Sequence, residues 1–441
     1  MHAQAKNLER ILRKILIVTY DWPPRNSIAT HRPYSWARYW AAQGLDVTVL
    51  TAQKKFFDQP LDLDLPKLDG VKVVESDYKV MIPMSSASQS QAPAKLTSFL
   101  KKIKGVVSSV SGWEYDVRSN WAGAAERMIQ ELGTDFDVVV STYGPDSAHK
   151  IASKFKQSNP SIFWVADYRD LWSLNARNTS SKLIKAFIRR KEMAVVASAD
   201  LFTTVSAELA QTLASLVCQQ PEVIFNGFDI ALNPALYRRP LSVKDNCLHV
   251  VYTGRIYPGK RNPSALVRAI EQLIDAGLIG VNEIRIDFYG GNTHVIDEEI
   301  QPIKYPMLVK HHGHVPRSRA LELQQSADLL LLLESNDEDS KGFLTGKIFE
   351  YIGAGRPIIS IGSTPDSAIA RVLDETRCGA CYEHSVDDIA RDLLAYLRGT
   401  PPAWFKPDLA AIERYSRKYQ ADLLMEKMLA YMRQNSVRLK G

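Results

Sequence analysis

The sequence predicts an α/β protein of two doubly wound, Rossmann-like domains facing a cleft. Three observations carry that prediction. Short apolar runs suited to buried parallel strands recur along the 441 residues, most of them separated by helix-like patterns. A chain of this length is too long for one core. The strand–loop–helix–strand order also stops at "NGFDIALNPALYRRPLSVKDN", which has prolines and no periodicity, and then begins again.

The first half opens with the strand "KILIVTY", a loop "DWPPRNSIATHRP", a helix "YSWARYWAAQG" and a strand "DVTVLT". Further strands are expected at "VKVVES", "DVVVST", "SIFWVAD", "LFTTVS" and "PEVIFN". The pattern weakens between Phe56 and Ser119, where the Ser/Gln-rich "SSASQSQAPA" reads as a mobile loop. After the linker come strand "LHVVYTG", loop "RIYPGKRNP", helix "SALVRAIEQLIDAG" and strand "IRIDFYGG". A short strand near "HHGHV", helix "RALELQQSA", strand "DLLLLLE", strand "PIISIG" and the "CGACYE" region follow. The expected boundaries are 1–228 for the first domain, 229–246 for the linker and 247–405 for the second domain. The amphipathic helix within 406–441 is expected to pack back on the first domain.

Apolar residues make up 45% and charged residues 24%, the composition of an ordinary globular chain. No apolar run approaches the roughly 20 residues of a spanning helix. The opening "MHAQAKNLERILRKILIVTY" has neither the apolar core nor the cleavage site of a signal peptide, so a cytoplasmic location is expected. The net charge is +6, and up to Ile230 there are 28 Lys and Arg against 23 acids, so most of the excess lies in the first half. It clusters in residues 94–110, with Lys95, Lys101, Lys102 and Lys104, and in residues 181–191, with Lys182, Lys185, Arg189, Arg190 and Lys191. At helix-like spacing among apolar residues, such stretches suit an anionic membrane surface or, equally, a solvated helix face. No nucleic-acid partner is expected. "CGAC", with Cys378 and Cys381, lacks the second pair that zinc needs and the preceding strand of a redox motif.

The stretch "KGFLTGKIFEYIGAGRPIIS" places Gly342, Thr345, Gly346 and Lys347 ahead of a lone acid, Glu350, in an apolar helix ended by Gly355, Arg356 and Pro357. On its own it is equally an anion-binding loop or a pair of turns. Its neighbours in the second domain weigh on the question. In "YTGRIYPGK", Gly254 and Arg255 follow the strand, with Lys260 five residues beyond Arg255. A guanidinium and an ammonium beside a helix start can neutralise a diphosphate. The amides around Leu344, Thr345 and Gly346 can point at phosphate oxygens. A carboxylate such as Glu350 fits beside an anion when it accepts from hydroxyls, and a ribose diol supplies two. Together these features point to a nucleoside diphosphate. No G-x-G-x-x-G follows the first strand, and no acid ends the second, so a nicotinamide or flavin cofactor is not expected.

The ordered set "NGFD", "YTGRIYPGK", "HGHV", "SADLLLLLES" and "TGKIFEYIGAGRPI" resembles the retaining GT-B glycosyltransferases of family 4. In the first half, "YDWPPRNSIATHRP", "GPDSAH", "VADYRDLW" and "SADLFTTVS" are similar to members that build bacterial surface polysaccharides (lipopolysaccharide, capsule or exopolysaccharide). The resemblance implies transfer of a sugar, with retention, from a nucleotide-diphosphate sugar to an acceptor hydroxyl, plausibly a carbohydrate or a lipid-linked sugar at the inner membrane face. It implies that Arg255 and Lys260 grip the diphosphate and that Glu350, matching the second acid of an E-x7-E motif, holds the ribose. The first acid of that motif falls at Gly342, a form shared by a branch of the family, with Glu338 or Asp339 as candidate substitutes. Asn26–Ser27 stands where many relatives have a glycine pair. In "DYRDLW", Asp167, Arg169 and Asp170 are favoured as functional over a structural ion pair. His149 is a candidate near the reacting centre and equally a helix-start residue under a loop, and His31 and Arg32 are candidates for the donor phosphate. No metal or other cofactor is expected, because cationic side chains take its place and no D-x-D is suitably located. The competing readings are a nucleotide-sugar epimerase on the same scaffold and a catalytically silent nucleotide-sugar-binding subunit.

Overall fold

The computed structural model describes residues 12–79, 116–175, 180–237, 247–256, 259, 261–291, 293–334, 344–400 and 402–438. The "SSASQSQAPA" stretch, the basic cluster of residues 94–110 and the second half of the 229–246 linker lie outside them, as do Lys260, Glu338, Asp339 and Gly342. The chain forms two compact units, one of residues 1–225 and 421–441, the other of residues 226–420.

In the first unit seven parallel strands lie in the order β3-β2-β1-β4-β5-β6-β7. They are β1 (Lys14–Val18), β2 (Asp46–Ala52), β3 (Val71–Ser76), β4 (Val138–Thr142), β5 (Phe163–Tyr168), β6 (Leu201–Thr204) and β7 (Glu222–Val223). Strand β1 shows why the runs are continuously apolar. Ile15 and Ile17 enter a core with Trp36 and Trp40, while Leu16 and Val18 enter a second core with Trp121 and Trp164. A strand buried on both faces has no polar side to show. The helices are α1 (Ile28–Ala42), α2 (Trp121–Glu131), α3 (Ser147–Ser158), α4 (Lys182–Val196) and α5 (Ala207–Val217).

Helix α1 corrects the sequence reading, which kept residues 21–33 as a loop and began the helix at Tyr34. The helix starts at Ile28, because Ser27 caps it by accepting from the Ala29 amide at 3.2 Å, and Pro33 is carried inside it. Pro33 is the sixth residue of the helix and has no N–H for the Ala29 carbonyl, so the helix carries it at the cost of one internal bond.

The second unit repeats the plan with six parallel strands in the order β10-β9-β8-β11-β12-β13. They are β8 (Leu248–Thr253), β9 (Ile284–Tyr289), β10 (Val309–His311), β11 (Leu329–Leu333), β12 (Ile358–Ile361) and β13 (Gly379–Cys381). Helices α6 (Pro234–Tyr237), α7 (Ser264–Asp275), α8 (Thr293–Glu299), α9 (Arg317–Ser326), α10 (Gly346–Ala354), α11 (Ala368–Thr376), α12 (Val386–Leu397) and α13 (Leu409–Glu413) belong to it. In each unit the strand order reverses beside the first strand, between β1 and β4 and between β8 and β11. The carboxyl edge at such a reversal is where doubly wound sheets take ligands.

The last helix, α14 (Arg417–Arg438), leaves the second unit and enters the first at Ala421. There Trp40 donates its indole N–H to the Ala421 carbonyl at 3.1 Å, and Leu424, Met425 and Met428 are buried in the Trp36–Trp40 core.

Candidate functional site

Three elements of the second unit bring side chains to the carboxyl edge at the β8–β11 reversal. Strand β8 ends at Thr253 and passes into Gly254 and Arg255. Gly254 sits at φ +126°, a conformation that side chains rarely adopt. A Cβ there would lie 2.7 Å from Lys347 Nζ, so the bare backbone is what lets the lysine lie across it. Lys347 comes from the first turn of α10. Its ammonium donates to the Tyr252 hydroxyl at 2.6 Å and lies 4.2 Å from the centre of that ring. The Tyr252 hydroxyl in turn donates to the Arg255 carbonyl at 2.7 Å.

No carboxylate lies within ion-pair distance of Lys347 among the described residues. Burial, and then the neighbouring Arg261 guanidinium, lower its pKa to about 7, against the opposing pull of Glu334 and Glu350. The ammonium is desolvated and short of counter-charge, a state that an anionic ligand would relieve. Arg261 donates to the Arg255 carbonyl at 3.2 Å and stands 3.9 Å from Glu334, at the end of β11. Arg255 is exposed, and no ion pair involves it among the described residues.

Helix α10 begins with Thr345 as its cap residue, in extended conformation and with no side-chain capping bond. Leu344 and Thr345 are buried and Gly346 is half-buried, so the chain enters the helix as close-packed backbone. The leading amides are left to meet an anion, which the helix dipole favours. Glu350, one turn further on, accepts from Arg317 at 2.8 Å and from Gln324 at 3.5 Å. Its carboxylate is 17% exposed and retains room to accept from a diol. Gln324 also donates to Thr253 Oγ1 at 2.9 Å, and the Thr253 amide donates to the Tyr351 hydroxyl at 3.1 Å. Helices α9 and α10 are thereby pinned to the end of β8. Tyr252, Arg261, Arg317, Gln324 and Glu334 were missed by the sequence reading. The only signal for them was their position near the ends of strands and helices.

In the first unit the candidates separate. Asp167 is completely buried at the end of β5. Arg32 reaches it with two nitrogens at 2.7 and 3.0 Å, and Thr142 and Thr203 donate at 2.8 and 2.7 Å. Burial alone would raise its pKa, but the Arg32 charge and these hydrogen bonds hold it below the ordinary carboxylate value. Arg32 spends its remaining nitrogen on the carbonyls of Ile224 and Phe225, at 2.7 and 3.0 Å. Asp167 and Arg32 therefore hold β5, β4, β6 and the end of the unit together, and neither is open to a ligand. This corrects the functional weight put on Asp167 and the phosphate role expected of Arg32. His31 is buried beside it, and Ser27 is spent on its helix cap.

Of the two readings of His149, the structure favours the helix-start residue, in the first turn of α3. It is wholly buried, bonded to Ser141 Oγ at 2.8 Å and packed against Tyr168 and Trp164. Burial lowers its pKa to about 4, which keeps the ring neutral and away from proton transfer at neutral pH. Arg169 and Asp170 do lie at the carboxyl edge. Arg169 pairs with Asp170 at 2.9 Å and approaches Asp21 at 3.6 Å, and Asp21 also binds Arg25. Arg169 lies over Gly144, at φ +110°, much as Lys347 lies over Gly254. Cys378 and Cys381 are free, and burial raises both thiols to about 12, so neither is a reactive thiolate.

Residues 261–430 match the family described as glycosyl transferase-like. No curated protein sequence matches the chain. Among solved structures, a sucrose-phosphate synthase from Thermosynechococcus elongatus is similar at 13% identity and TM-score 0.56, covering 96% of this chain and 100% of that one. Anabaena HepE, solved in complex with UDP-glucose, is similar at 13% identity and TM-score 0.56, with 95% and 100% covered. The trehalose-6-phosphate structure from E. coli, bound with UDP-2-fluoro glucose, gives 12% identity and TM-score 0.59, with 94% and 98% covered. At these identities the likeness is one of fold. It extends over both units, and the fold is that of the GT-B glycosyltransferases.

Proposed function

We propose that the chain is a glycosyltransferase that moves a sugar from a nucleotide-diphosphate sugar to an acceptor hydroxyl, with retention of configuration. The observation that carries this reading is the Lys347 ammonium lying over Gly254 without a carboxylate partner among the described residues, with Glu350 one turn along the same helix. A cation and a helix start suit the diphosphate, and a nearby carboxylate suits the ribose diol, which would take over hydrogen bonding now supplied by Arg317. As the glycosidic bond breaks, negative charge grows on the leaving diphosphate. Lys347, Arg255 and the first-turn amides of α10 are set to stabilise it, with Lys260 as the partner of Arg255 that the motif order suggests. Cationic side chains meet the diphosphate in this reading, so the reaction calls for no metal. In the first unit, Arg169 and Asp170 are the polar pair we assign to the acceptor side.

The family match over residues 261–430 supports the transferase class. The neighbours solved with UDP-glucose and UDP-2-fluoro glucose support a nucleotide sugar as donor. The order of motifs supports a carbohydrate or lipid-linked acceptor in cell-surface polysaccharide synthesis in the cytoplasm. The test is thermal unfolding with UDP, GDP and ADP and their common sugar conjugates, on wild type and Glu350→Ala. One nucleotide series should raise the unfolding temperature of the wild type, with the effect lost or much reduced in the variant. Absence of any shift in the folded wild type would leave the donor site without support.

A further inference from the structure

We propose that helix α4 docks the protein on an anionic phospholipid surface. The helix has two faces of opposite character. Ile188, Val195 and Val196 pack into the first unit, and Glu192, the first acid in the helix, is buried. On the opposite face Leu183 is 84% exposed and Phe187 70% exposed, with Met193 at 45%. Leu183 and Phe187 stand four residues apart and so lie one above the other, in line with Arg190 and Ala194.

Scattered single hydrophobics on a surface need no explanation, but this pair lies inside a run of cations. At 100° per residue, Arg190 continues the apolar line, Lys191 falls on one flank and Lys182 and Arg189 on the other, while Lys185 lies on the opposite side of the helix. No acid occurs from Lys182 to Lys191. Among the described residues, no carboxylate pairs with Lys182, Lys185, Arg189 or Arg190, and Lys191 stands 3.9 Å from Asp146. An apolar line flanked by unpaired cations complements acyl chains bordered by anionic headgroups. A second copy of this chain would bring the same unpaired cations against each other.

The helix is placed for use. It follows the loop that leaves the carboxyl end of β5, so Leu183 and Phe187, in its first turns, lie toward the sheet edge that carries Arg169 and Asp170. No helix of the described residues is long and apolar enough to cross a membrane, so the attachment would be along the surface. The proposal stands apart from the donor reading, because its test contains no nucleotide.

The full chain is sedimented with phosphatidylcholine vesicles and with vesicles that also contain phosphatidylglycerol, at low and high salt. Expected is binding to the anionic vesicles that weakens with salt and falls about tenfold or more in Leu183→Ser/Phe187→Ser and in Lys182→Glu/Arg189→Glu/Arg190→Glu. All five side chains are exposed, so both variants should keep the wild-type unfolding temperature, which is measured alongside. Absent binding by the wild type, or binding unchanged in the Leu183/Phe187 variant, would overturn the proposal. So would self-association in solution that disappears in that variant, because the occupant would then be a second copy.

Discussion

Each unit of this protein carries a cation laid over a positive-φ glycine at the carboxyl edge of its sheet, and the two cations are treated differently. In the first unit Arg169 crosses Gly144 and meets Asp170 and Asp21. In the second, Lys347 crosses Gly254 and meets a tyrosine hydroxyl, with Arg261 adding like charge nearby. The first arrangement is close to neutral before any ligand arrives. Among the described residues the second is short of negative charge and gains most from an anion. A repeated backbone device has thus been filled with different electrostatics, and the proposed acceptor and diphosphate roles rest on that difference.

The first unit also holds the costliest test of the contrast. Asp167→Ala leaves Arg32 buried without its counter-charge, and removing one partner of a buried pair costs about 3–5 kcal/mol. Urea unfolding followed by tryptophan fluorescence reads this unit, since Trp404 alone of the eight tryptophans lies in the second. The expected result is a lower midpoint for the first unit with nucleotide affinity retained. Lost nucleotide affinity in a still-folded variant would show that the buried pair serves the donor site after all.

In the second unit Gly254→Ala places a methyl where the Lys347 ammonium lies and forces a strained φ. Displacing one charge-assisted hydrogen-bonding group costs about 1.5–3 kcal/mol, or roughly a ten- to hundredfold loss of affinity by calorimetry. Unchanged affinity would remove Lys347 from the site.

The smallest effect concerns pH. The Lys347 pKa is about 7, and an anion favours the charged form and raises it, so binding takes up a proton above that pH. Affinity for a nucleotide sugar, whose own diphosphate does not ionise in this range, should fall about tenfold from about pH 6 to about pH 8.5. Lys347→Met should flatten the profile. Stability of the unliganded protein moves the other way. The folded pKa lies below the unfolded one, so the unfolded chain holds more protons between them and this group's contribution rises as pH climbs from about 7. Opposite slopes for binding and stability would separate this lysine from a general pH effect.

The strands were legible because a strand buried on both faces writes itself as an unbroken apolar run, as in "LHVVYT" and "IISI". The start of α1 was misread because Pro33 stands inside the helix and signals a break without making one. Within the candidate site, Gly254, Lys347 and Glu350 stood out because glycines and charges in apolar surroundings are locally conspicuous. Tyr252 did not, since in a strand it reads as one more core residue, and its hydroxyl matters only once α10 brings Lys347 to it. Arg32 and Asp167 are 135 positions apart, and no local pattern records that they consume each other. His149 was left undecided for the same reason, as its polarity is visible in the chain and its burial is not.

The composition of the first unit has a consequence for the order in which the protein is made. Ala421, Leu424, Met425 and Met428 complete the core beside Trp36 and Trp40, yet nearly two hundred residues of the second unit are synthesised between residue 225 and that segment. During translation the earlier domain cannot close its own core until the later one has left the ribosome, so the aromatic face of α1 stays uncovered while its neighbour folds. The final helix acts as a completion signal, and a message truncated before it should yield a chain that chaperones hold rather than release.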